Sequence, residues 1–143
     1  MQNPVVEVNT TIAAKPDTVW KAMTGSKSAL FMGSKVETDW EVGHKMTFSG
    51  EWQGKPFKDF GVIKSLDEGK ELSFSHWSKT PERPENYHVV RYDLEPAGSK
   101  TKVTLSQFNH GPKPEVDEAT AAEFKKTWTM MLDGLKQAVE GAN

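Results

Sequence analysis

Residues 117–141, DEATAAEFKKTWTMMLDGLKQAVEG, carry large apolar side chains at Phe124, Trp128, Met131, Leu132, Leu135 and Val139. From Phe124 the later positions are offset by 4, 7, 8, 11 and 15 residues, which is the stripe of a long amphipathic helix. Asp117, Glu118 and Glu123 in the first turns and Lys136 in a late one complement the helix dipole, and Gly141 is placed to cap the C-terminus. At a rise of about 1.5 Å per residue, roughly 24 residues give a helix of about 36 Å, close to the length of a ten-residue strand at about 3.3 Å per residue. One such helix can lie across a whole sheet.

Upstream of it the period is two. In residues 45–53, Met46, Phe48, Gly50 and Trp52 alternate with Lys45, Thr47, Ser49, Glu51 and Gln53. Gly54-Lys55-Pro56 turns the chain back, and further strands are expected over residues 57–66 and 71–77, with Leu72, Phe74 and His76 on one face of the latter. Two more, over 87–95 and 100–108, are joined by the hairpin signal Pro96-Ala97-Gly98-Ser99. Residues 78–86 hold two prolines and no periodicity, so they are expected to form a loop able to rim or cover a cavity. At the other end, residues 5–12 alternate around Val6, Val8 and Thr10 and read as a strand. Pro16 then opens a short helix through Val19, Trp20 and Met23, and residues 26–32 read as a second short helix ending at Gly33.

Composition narrows the function. The chain has 143 residues, 18 basic against 20 acidic side chains, a formal charge of −2 and no cysteine. That size suits a single domain over residues 1–143. A nearly neutral surface creates no field that would gather phosphate backbones, and only Arg83 and Arg91 among the basic residues can make bidentate phosphate or base contacts. Nucleic acid is therefore not expected as a partner. Without cysteine there is no disulfide, no thiolate metal site and no thiol nucleophile. No segment has the length of a membrane span or the pattern of a leader, so the expected setting is cytoplasmic, without membrane insertion. Against this plain background, seven Phe, five Trp and two Tyr are a large stock of bulky side chains for one small core.

The order of elements, with Pro16 and Val19-Trp20 in the first helix, Trp40 before the Gly43 turn, Gly61, Leu72-Ser73-Phe74 leading to Trp77, Val90, Tyr92 and Leu94-Glu95-Pro96, Thr101, Val103 and Leu105, and Trp128, Met131-Leu132 and Leu135, resembles the START-like (SRPBCC) helix-grip superfamily. Within it the chain is similar to the branch named after the activator of the heat-shock protein 90 ATPase, departing at Gly43-His44, where a Gly-Gly pair is usual, and in the long loop 78–86. The resemblance implies an α+β helix-grip fold: a curved antiparallel sheet of six to seven strands wrapped around the long C-terminal helix, with two short helices after the first strand.

A helix about 10 Å across cannot fill the concave face of such a sheet, so large side chains or a guest must occupy the remaining space. The alternations place Met46, Phe48, Trp52, Phe60, Phe74, His76, Tyr92 and Gln107 on that face, with Phe124, Trp128 and Met131 reaching it from the helix. This is the lining of a pocket for a small, largely hydrophobic molecule, with His76, Tyr92 and Gln107 as its polar members. Gly50 and Gly61 suit bends of a curved sheet. His44, His76, His88 and His110 are 32, 12 and 22 residues apart, without the short spacing of a metal site, and neither metal nor cofactor is expected. His76 and His88 fall on strands that can be neighbours. A histidine facing an acid such as Asp59 would make a general base, but Asp59 has the opposite parity to Phe60. The superfamily also implies two alternatives: a cyclase, dehydratase or hydrolase using His76, His88 and Tyr92, and a co-chaperone-like module with a chaperone partner.

Overall fold

The computed structural model describes residues 4–24, 34–52, 54–78, 80, 82–111 and 115–141. Its elements are β1 (Val6–Ile12), α1 (Pro16–Met23), β2 (Ser34–Glu37), β3 (Lys45–Trp52), β4 (Lys55–Asp67), β5 (Glu71–Ser78), β6 (Tyr87–Ala97), β7 (Lys100–His110) and α2 (Glu118–Glu140). The expected second short helix, over 26–32, lies outside the described residues. The short strand β2 is an addition to the reading above.

All seven strands join one antiparallel sheet in the order β1-β7-β6-β5-β4-β3-β2. Apart from the β1–β7 closure, each strand pairs with its neighbour in sequence, as a meander of hairpins requires. The sheet is curved, and α2 packs on its concave side, its backbone nearest β1 and α1. Asp117 starts α2 by accepting a hydrogen bond from the Thr120 amide at 2.7 Å, which satisfies one of the free N–H groups of the first turn. Trp128, Leu132, Leu135 and Val139 are buried along the helix and face Val6, Val8 and Ile12 of β1 and the inward residues of β6 and β7. Each such side chain contributes roughly 1.5–3 kcal/mol by burial.

The register fixes which residues share a face. Across β3, β4 and β5, Met46 opposes Gly61, which opposes His76, and Phe48 opposes Asp59. Farther along, Ile63 opposes Phe74, and a bulge between Ile63 and Ser65 shifts the register so that Leu66 meets Leu72. Gly61 is required by crowding, since a Cβ there would lie 2.1 Å from the Ser75 carbonyl oxygen.

Two expectations are corrected by this register. Phe60 opposes Thr47 and Trp77 and so lies on the convex face, where Lys58 Nζ sits 5.9 Å from its ring centre. With Ile63 inward and no bulge between them, residue 60 must point outward and Asp59 inward. The loop after β5 also leans the other way from a rim over the concave face: Thr80 accepts a hydrogen bond from Trp77 Nε1 at 2.7 Å, and Arg83 lies 4.8 Å over the ring of Tyr87, both rings being on the convex side.

Candidate functional site

The concave face is built mainly from apolar side chains. Met46, Phe48, Phe74 and Tyr92 are buried on the sheet, and Trp128 is buried on α2, with Phe124 and Met131 half-buried beside it. The side chain of Trp52, at the end of β3, lies outside the described residues. Phe48 packs on Phe74 with ring centres 5.5 Å apart, and Phe74 stacks on Tyr92 at 6.4 Å. Burial raises the pKa of the Tyr92 phenol above its ordinary value, so it stays neutral near neutral pH.

Two polar arrangements interrupt this lining. Gln107, fully buried on β7, accepts a hydrogen bond from Trp128 Nε1 at 2.6 Å and donates to Asn109 Oδ1 at 2.8 Å. Both ends of its amide are used by the protein, which ties α2 to the sheet at Trp128. The other arrangement runs across three strands. Because Gly61 opposes His76 and His76 opposes His88, the two imidazoles stand side by side on the concave face, and Asp59 reaches them from two residues along β4.

In that row His76 Nε2 donates to Asp59 Oδ2 at 3.0 Å, and His76 Nδ1 lies 2.8 Å from His88 Nε2. The ring centres of Phe124 and Trp128 each lie 6.4 Å from that of His88, and Phe48 meets the His76 ring edge-on at 5.3 Å. Burial, followed by repulsion from His76, lowers the His88 pKa from 6.5 to about 3 against a smaller attraction by Asp59, so His88 is neutral near pH 7. The structure thus joins His76 and His88, which sequence parity placed together, and adds Asp59, which it placed on the opposite face. The signal that would have found Asp59 is the spacing of Phe60 and Ile63, which cannot both point inward without a bulge between them.

The remaining histidines lie elsewhere. His44 pairs with Asp39 and Glu41, whose ligand atoms all come within 4.8 Å of one another on an exposed turn. His110 stacks on Tyr87 at 5.3 Å on the convex face, which also carries Arg91 bound to Asp93 and Glu71 at 2.9 Å. Among the described residues no helix is long and apolar enough to cross a membrane.

A seven-stranded antiparallel sheet gripping one long C-terminal helix defines a START-like helix-grip protein. Residues 13–140 match the model of the family described as "Activator of Hsp90 ATPase homolog 1-like protein", and the chain belongs to that family. Its structure is similar to the solution structure of a Cytophaga hutchinsonii protein, with 32% identity, a TM-score of 0.75 and coverage of 96% of this chain and 94% of that one. It is also similar to the Aha1 dimer from Colwellia psychrerythraea, at 20% identity and a TM-score of 0.71, covering 94% and 95% of the two chains. CalU16 from Micromonospora echinospora shares 20% identity and a TM-score of 0.67 over 93% of this chain and 74% of that one. These last two likenesses are of fold. A search of curated proteins found no match.

Proposed function

We propose that this protein binds a small, largely apolar molecule on the concave face between the sheet and α2, in a cytoplasmic setting. The observation that carries this reading is the contrast within that face: a continuous apolar lining around Phe48, Phe74 and Trp128, with one polar row, Asp59, His76 and His88, ending against the rings of Phe124 and Trp128. A wall that is mostly apolar with a few convergent polar groups suits a guest oriented by one polar contact. The fold supports the same reading, since proteins built on it bind small ligands.

Native mass spectrometry of the gently purified chain, exposed to a panel of fatty acids, planar aromatics and polyketide-like compounds, tests the proposal. Retention of an aromatic or polyketide-like compound, lost when Trp128 is replaced by Ala in a variant that still folds, is the expected result. Failure to retain any member of the panel would count against a small-molecule role. A chaperone partner has the family description alone behind it, and stimulation of an Hsp90 ATPase by the purified chain would favour that reading instead.

A further inference from the structure

The row of Asp59, His76 and His88 has a direction set by its donors and acceptors. The Asp59 carboxylate only accepts, so the His76 nitrogen facing it, Nε2, must carry hydrogen. When His76 is neutral its Nδ1 is then bare and takes a hydrogen from His88 Nε2 across the 2.8 Å contact. A neutral His88 that carries hydrogen on Nε2 has a bare Nδ1. No described residue bonds that nitrogen, and no described side-chain nitrogen or oxygen is both buried and unpartnered, so Nδ1 opens onto accessible space.

We propose that Asp59, His76 and His88 form a proton relay whose open end, His88 Nδ1, receives the hydroxyl hydrogen of a planar enol or phenol seated against Phe124 and Trp128. This rests on the ligand reading above and specifies the guest. The guest O–H bond breaks as a bond from that proton to His88 Nδ1 forms. The His88 Nε2 proton passes to His76 Nδ1, its bonding pair staying on His88. The products are an oxyanion facing a neutral His88 Nδ1–H donor and a His76 imidazolium beside the Asp59 carboxylate. The positive charge therefore rests where a carboxylate meets it, and the half-buried His88 never carries it. His76 and Asp59 are positioning residues that act through His88. Among the described residues, α2 presents the uncharged Phe124 and Trp128 to His88, and β7 presents Asn109 as its register partner.

The probes are 4-nitrophenol, whose oxyanion is yellow, and its methyl ether 4-nitroanisole, which has no hydrogen to give. With the whole chain, 4-nitrophenol is expected to bind about tenfold more tightly, the size of one hydrogen bond to a charged partner. The yellow colour of the bound probe should develop at lower pH than in free solution. His88→Phe should abolish both effects. Asp59→Asn, which leaves His88 in place, should abolish the colour shift while retaining a preference for the phenol. Imidazole nitrogen NMR of the probe-free protein supplies a readout without any variant, and should find hydrogen on His88 Nε2 when the spectrum shows His76 neutral. Equal binding of the two probes, or hydrogen on His88 Nδ1 in that spectrum, would overturn the relay and leave the binding reading standing. Failure of both probes to bind would overturn the two together for aromatic guests.

Discussion

Acid should weaken this fold through His88. In the folded chain His88 takes up its proton only near pH 3, because burial and the neighbouring His76 oppose the charge, whereas the unfolded chain takes it up near 6.5. Between these values the unfolded state holds one more proton than the folded state. Stability attributable to this residue is therefore fully present above about pH 6.5 and falls as the pH drops, by about 1.4 kcal/mol per unit. From pH 7 to pH 5 the loss is about 2 kcal/mol, a large part of the margin of a small domain. Urea unfolding followed by tryptophan fluorescence at the two pH values measures it. The comparison is with His88→Asn, whose amide can still donate to His76 Nδ1 but does not titrate. His44 and His110 are common to both proteins and cancel. The variant should lose about 2 kcal/mol less than the parent over this range. Parallel losses in parent and variant would refute the assignment of a half-buried, neutral His88.

Two further substitutions probe the frame around the site. Trp128→Phe removes the donor to Gln107 Oε1 within a fully buried contact and should cost about 1–3 kcal/mol beyond the change in ring size, read as a shift in urea midpoint; an unchanged midpoint would show that the amide finds another donor. Gly61→Ala places a Cβ 2.1 Å from the Ser75 carbonyl oxygen and 3.4 Å from the Phe48 ring. Strands β4 and β5 must move apart to admit it, at about 1–3 kcal/mol or more, and thermal unfolding indistinguishable from the parent would contradict the close approach.

Most of the fold was legible because burial imposes a period on each element separately. Met46 and Phe48 on β3, Leu72 and Phe74 on β5, Val90, Tyr92 and Leu94 on β6, and Val103 and Leu105 on β7 repeat every second residue because each strand has one dry face, and all are buried. The stripe along α2 had to match them, as Trp128, Leu132 and Leu135 do. Strand β2 escaped because a four-residue edge strand offers too short a pattern, Val36 being its buried apolar residue. Its pairing comes from β3, which supplies the backbone partners whatever the side chains.

The site was less legible, for a reason located in β4. That strand runs past a bulge, and its apolar residues Phe57, Phe60, Val62, Ile63 and Leu66 fit no single alternation. Taking the aromatic Phe60 as inward is the natural choice when hydrophobicity is the sole guide, and it sends Asp59 outward. What decides the matter is the neighbouring strand: Gly61 must face His76 because only a residue without a Cβ tolerates the Ser75 carbonyl there, and that fixes Asp59 on the same face two residues away. A carboxylate on a face of Phe48, Phe74 and Trp128 would be costly unless paired, and the His76 imidazole meets that requirement at 3.0 Å. The same pairing orients His76 toward His88, and His88 toward the rings of α2. The glycine that lets two strands approach thus also determines which acid reaches the histidines, so the architecture of the sheet and the chemistry of its concave face have one cause.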